Sequence, residues 1–253
     1  MDDHATLCWR VERACAAAWP ARTTDVLHGW AVARSGGGTR RINSASPLSP
    51  GATLDPPGLA AIVAAYRDAG LPAIVRLPTL IDPPTRALDD AGFAAAEGAS
   101  TTLALVPGAM PAPPAMRATR IAIDPAPTPA WRAARRRLSL VAGAGAEDHL
   151  EPLAWLRAPA WFASAAVDGA TRAVAFAALT DGIAIIEAVA TDPDWRGRGL
   201  AGACVAALVD RATVAGAVRI ALQVARDNAA ALALYRRLGF TCQLYDYSYR
   251  RRG

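Results

Sequence analysis

The stretch IAIIEAVAT, residues Ile183–Thr191, carries a single charge, on Glu187, in nine positions. Too short to cross a bilayer and rich in β-branched residues, such a run fits a strand covered on both faces. It is followed by DPDWRGRGLAGACVAALVD, in which Gly197, Gly199 and Gly202 and the arginines Arg196 and Arg198 sit at a strand-to-helix seam. Leu200, Cys204 and Leu208, with Val205 and Val209, then recur at helical spacing. A buried strand leading through a glycine turn into an amphipathic helix requires a layered α-and-β architecture.

The seam has a chemical reading and a plain one. A helix N-terminus exposes unpaired N–H groups and the positive end of the helix dipole. Glycines let a ligand approach that backbone, a phosphate is its usual occupant, and Arg196 and Arg198 add charge. An ordinary turn with two surface arginines is the alternative. The spacing is neither G-x-G-x-x-G after a first strand nor G-x-x-x-x-G-K-[ST], so dinucleotide and nucleoside-triphosphate sites both fit poorly.

Around this seam the second half of the chain reads as alternating elements. Residues 160–167 and 172–179 flank Asp168-Gly169 as a hairpin. A strand is expected over 218–224 and a helix through Leu238, with Asp227 or Asn228 as its N-cap and Gly239 just past its end. Residues 244–249 read as a last strand. Upstream, the proline-rich stretch VPGAMPAPPAM, residues 106–116, reads as a linker. Before it, 27–34 and 40–45 flank the loop SGGG as a hairpin, and a helix (59–68), a strand (73–76) and a short helix follow. The ending LDDAGF (88–93) echoes YRRLGF (235–240), and with the matching order of elements this suggests two tandem copies.

Composition narrows the function. The chain has 253 residues, 53% of them hydrophobic and 19% charged, which suits a folded protein. All 27 basic residues are arginine and the net charge is +5. The arginines are scattered without interleaved aromatics, so clusters such as 135–137 read as solvated faces and no nucleic-acid partner is expected. The four cysteines form no C-x-x-C and the three histidines no ligand spacing, so no metal is expected. No signal or membrane segment is read, and a cytoplasmic protein is expected.

The residues at the seam carry a family resemblance. Arg196-Gly197-Arg198-Gly199-Leu200-Ala201 resembles the [QR]-x-x-G-x-[GA] signature of the GNAT superfamily, the acyl-CoA-dependent N-acyltransferases. Downstream, Asn228, Ala231, Tyr235, Gly239 and Phe240 resemble its second signature, N-x-x-A-x-x-x-Y-x-x-x-G-F. The resemblance implies an α+β fold, a mixed and mostly antiparallel sheet with flanking helices, here as two tandem halves. Residues 1–106 are then a degenerate amino-terminal half, 107–117 the linker and 118–253 the catalytic half. Leu88 stands where Tyr235 stands in the second half, and no phosphate-loop signature precedes the first-half helix.

The same resemblance implies acetyl-CoA as cofactor and an N-acetyltransferase acting on a small-molecule or peptide amine. The pantetheine arm is expected along the backbone of Val189, Ala190 and Thr191, with the Val189 N–H near the thioester carbonyl. The pyrophosphate is expected on the N–H groups of Gly197, Arg198, Gly199, Leu200, Ala201 and Gly202. Asn228 is either a cofactor contact or the helix cap, or both. Tyr235 matches the general acid, with a packed helix position as the alternative. Glu187 is either the general base or the partner of an arginine from the first segment. Trp30, Arg34 and Asn43 are candidates for a substrate cleft between the halves, with structural packing as their alternative. A non-catalytic CoA-binding regulatory module is the other functional reading.

Overall fold

The computed structural model describes residues 3–36, 39–108, 120–138 and 148–253. The chain runs α1 (His4–Ala18), β1 (Thr23–Leu27), β2 (Trp30–Arg34), β3 (Ala45–Pro47), α2 (Pro56–Asp68), β4 (Ala73–Pro78), α3 (Thr85–Asp90) and β5 (Glu97–Leu105). It continues through β6 (Arg120–Asp124), α4 (Pro129–Leu138), β7 (Ala160–Val167), β8 (Ala170–Thr180), β9 (Ile183–Thr191), α5 (Leu200–Val214), β10 (Arg219–Ala225), α6 (Ala229–Arg237) and β11 (Cys242–Arg252). Most of the proline-rich stretch read as a linker lies outside the described residues. No helix among those described is long and apolar enough to cross a membrane.

Local chemistry sets the element ends. Asp3 caps α1 by accepting from the Thr6 N–H, and Asp55 caps α2 by accepting from Gly58 at 2.8 Å, with Pro56 opening that helix. The β7–β8 turn at Asp168-Gly169 has φ of 51° and 75°, the left-handed pair that a two-residue hairpin needs.

The described strands form one sheet in the order β1-β2-β3-β4-β11-β5-β10-β9-β8-β7-β6. Only the β3–β4 and β9–β10 pairs are parallel. On β9, Ile183 and Ile185 face the core beneath α1 and α4, while Ala184 and Ile186 face the core beneath α5. Coverage on both faces explains why the strand reads as a nearly continuous apolar run.

The tandem signal extends into the pairing. A constant shift of 147 positions takes Leu88 to Tyr235, Phe93 to Phe240 and the end of β5 at Leu105 to the end of β11 at Arg252. It also takes the β4–β11 register, from Ala73↔Arg252 to Pro78↔Tyr247, onto the β10–β5 register, from Ile220↔Leu105 to Ala225↔Ser100. Each half therefore lends its last strand to the other half's sheet. Both Gly-Phe endings close alike: Phe93 N–H donates to Leu88 O and Phe240 N–H to Tyr235 O, each at 3.0 Å, over a left-handed glycine.

The first-segment hairpin differs from expectation. Its chain reversal is at His28-Gly29, both with positive φ, between β1 and β2; residues 40–42 form a 3₁₀ turn, and β3 begins only at Ala45. Two consecutive left-handed residues match the twist of the flanking strands, so the tight turn forms there. The sequence reading also passed over α1, although Cys8, Val11, Cys15 and Ala18 fall at helical spacing and are buried.

Candidate active site

The pairing of β9 with β10 starts at Ile183↔Arg219 and stops at Ile186↔Leu222. Beyond that point Ala190 and Thr191 stay paired to β8 on one side and Val189 falls in the irregularity of that pairing, while the edge of all three toward β10 has no strand partner. The parting is built into β9. Ala188 has φ of 54°, and the register with β8 slips by one residue between Val174↔Ala190 and Phe176↔Glu187, a β-bulge. A crevice between two parallel strands results, with unpaired backbone along one wall.

Below the crevice the chain turns into α5. Asp192, itself buried, anchors this turn: it accepts from Arg137 at 2.8 Å and Arg172 at 3.0 Å and caps the short 3₁₀ turn Pro193–Trp195. The Arg137 hydrogen bond, seconded by Arg172, holds its carboxyl below the usual aspartate range. Gly197 and Gly199 then adopt φ of 73° and 81°, and Gly199 is the N-cap of α5. The first helical bond is Ala203 N–H to Gly199 O, 2.9 Å. The N–H groups of Leu200, Ala201 and Gly202 precede it and have no acceptor among the described residues. Arg196 and Arg198 are exposed beside them, and the Arg198 guanidinium lies 4.4 Å from the Trp195 ring centre.

These glycines are needed for their backbone. Left-handed φ costs an L-residue about 1–2 kcal/mol. Gly199→Ala is therefore expected to lower unfolding stability by about that amount in a denaturant titration. Gly202 is not held by such a constraint: a Cβ there would meet Leu234 Cδ1 of α6 at 3.4 Å, an ordinary van der Waals contact.

Tyr235 lies on α6, 7% exposed, with its ring edge-on to Phe240 at 6.1 Å. Its hydroxyl makes no hydrogen bond among the described residues. Burial, and secondarily the charge of Glu187, push its pKa up to about 12, so it is a protonated donor at any ordinary pH. Asn228 Oδ1 caps α6, accepting from Ala231 N–H at 3.1 Å, which leaves its Nδ2 facing solvent. Cys204 is buried core, as its place on the apolar face of α5 implies.

Glu187 faces the α1 side of the sheet and is held by the first segment. Arg41 donates to both its oxygens, at 2.8 and 2.9 Å, and to Gln223 Oε1 at 2.9 Å. Tyr247 donates to the same Gln223 oxygen at 3.2 Å. Burial alone would depress the arginine, but Glu187 outweighs it and holds Arg41 above its ordinary range. The sequence allowed for a first-segment arginine here without naming it. Trp30, Arg34 and Asn43 do not reach the crevice. Trp30 is fully buried in the first-half core and donates to Thr53 O, Arg34 pairs with Asp25, and Asn43 caps the glycine loop at Ser35 and Gly36.

The geometry has relatives. A solved GCN5-related N-acetyltransferase from Kribbella flavida is 20% identical and superposes with a TM-score of 0.75, covering 99% of this chain and 96% of that one. A tandem GNAT protein from the clavulanic acid biosynthesis pathway is 17% identical with a TM-score of 0.63, covering 88% and 77%. At these identities the likeness is one of fold. A mycothiol acetyltransferase of Clavibacter michiganensis subsp. michiganensis is 38% identical over 84 residues, 33% of this chain and 28% of that protein. The aligned part thus spans under a third of that relative's length. A family model described as "Probable histone acetyltransferase Rv0428c C-terminal" matches residues 8–249. With nearly its whole length so matched, and with the strand parting and glycine turn in place, the chain belongs to that family, within the GNAT superfamily of N-acetyltransferases.

Proposed function

We propose that this protein transfers an acyl group, acetyl in the first instance, from a CoA thioester to an amine. One observation carries the reading: the β9–β10 crevice has unpaired strand backbone on one wall, free helix N-terminal amides below, and a protonated tyrosine within the field of Glu187.

The residues divide the work as follows. Amides of residues 197–202 hold the pyrophosphate, with Arg196 and Arg198 adding charge. The free edge of Val189, Ala190 and Thr191 pairs with the pantetheine amides, and the Val189 N–H polarises the carbonyl. Asn228 Nδ2 contacts the cofactor while its Oδ1 caps the helix. When bound, the thioester supplies an activated acyl carbon. As nitrogen bonds to that carbon and the C–S bond breaks, Tyr235 gives its proton to the sulfur. The ammonium must first lose a proton. Each Glu187 oxygen already accepts from Arg41 but keeps a further lone pair, so we assign Glu187 the base role through an intervening water. Residues 1–106 act as a half without transfer chemistry of its own, 107–117 as its connection, and 118–253 as the half that carries the reaction.

A second reading, a CoA-binding regulatory module without turnover, is favoured by one observation, the engagement of both Glu187 oxygens by Arg41. Two measurements decide. CoA at a hundred times its Kd is expected to add about 2.7 kcal/mol of stability, read as a thermal shift; no shift overturns both readings. Release of free thiol from acetyl-CoA across an amine panel is expected for the transferase; a thermal shift without thiol release leaves the module.

A further inference from the structure

The α1 helix packs on β8, β9 and β11, and between it and the first-half strands is a groove of about 120 Å³ reaching from the α1 residues to β2, β3 and β4. Three of its lining side chains carry buried polar atoms with no hydrogen-bond partner among the described residues: Ser44 Oγ, Trp19 Nε1 and Arg76 Nε. Their residues are 0%, 5% and 3% exposed. Indole and guanidinium N–H groups only donate, and a serine hydroxyl donates as readily as it accepts. Buried donors at this density call for a ligand that accepts hydrogen bonds.

Charge narrows the ligand further. Arg76 is paired with Glu12, and Arg41, which also lines the groove, is paired with Glu187. Arg13, exposed on the same groove, has no ion pair among the described residues, which leaves one positive charge in excess. One excess charge matches a carboxylate better than a phosphate, which carries nearly two at neutral pH. The volume admits a carboxylate with its adjoining carbons, and Arg41 joins this groove to Glu187 on the α1 side of β9.

We propose that this groove binds the carboxylate of an amino-acid or short-peptide acceptor, presenting its amine toward Glu187. The inference rests on the transferase reading above and names its substrate class. In the full-length protein, thiol release from acetyl-CoA is measured with the twenty amino acids and a set of dipeptides, each beside its C-terminal amide. The free acid of at least one pair is expected to exceed its amide in kcat/KM by about tenfold or more, the worth of a charged hydrogen bond. Ser44→Ala and Trp19→Phe are expected to erase that preference through KM, with kcat and the CoA thermal shift retained. Acids and amides used equally, a preference that survives both substitutions, or turnover confined to amines lacking a carboxylate would overturn it. Absence of the CoA shift itself would instead bring down the transferase reading.

Discussion

Tyr235→Phe is expected to lower kcat about 10²-fold or more, with the KM for acetyl-CoA essentially unchanged. The substitution removes one hydroxyl. The ring keeps its edge-on contact with Phe240 and its place in the core beneath α5, so the fold is retained. A loss confined to kcat identifies a group acting only as the C–S bond breaks. The pH dependence adds a second check. In the native protein this phenol, raised to about 12 by burial and then by Glu187, stays protonated far above neutrality. Activity is expected to climb as the amine acceptor loses its proton, and no falling limb from Tyr235 is expected below about pH 12. The same shift has a stability sign. A folded-state pKa above the unfolded value of about 10 contributes stability that is complete below pH 10 and is lost as pH rises toward 12. The phenylalanine variant lacks that alkaline loss. A variant with native kcat would reduce Tyr235 to a packing residue.

How much of this could be read in the sequence depended on how local each signal was. The bounds of β9, Ile183–Thr191, follow from an apolar run covered on both faces, and the structure keeps them to the residue. The turns at Asp168-Gly169 and Gly239 and the Asn228 cap were equally legible, because each is settled within a few residues. The linking of the halves was not. The exchange of β5 and β11 joins segments more than a hundred positions apart, and no local pattern encodes which sheet a last strand enters. Arg41 is the plainest case. It stands 146 positions from Glu187 in a short 3₁₀ turn, one arginine among 27 residues of its charge, and only the assembled fold brings the two together. The single charge in an apolar strand announced that a partner was needed, and burial energetics demanded it. Which partner was a property of the assembled fold.

That partnership yields the second large expected effect. Arg41→Ala leaves Glu187, 8% exposed, without its counter-charge and strips one donor from Gln223. Removing one member of a buried pair costs about 3–5 kcal/mol; with Arg41 itself 19% exposed, the lower end, about 3 kcal/mol, is expected, or roughly 6–12 °C in Tm for a chain of this size. The companion experiment separates fold from chemistry. Replacing both members, Arg41→Met with Glu187→Leu, exchanges the pair for apolar groups that cost nothing to bury, so most of the lost stability returns. Turnover is not expected to return with it, because the carboxylate assigned as base, whose charge reaches Tyr235, is gone. Recovery of both would make the pair a fastening between the halves and nothing more. Recovery of stability alone means that the first half, which lacks a phosphate loop of its own, persists because it contributes the arginine that sets the second half's carboxylate in place.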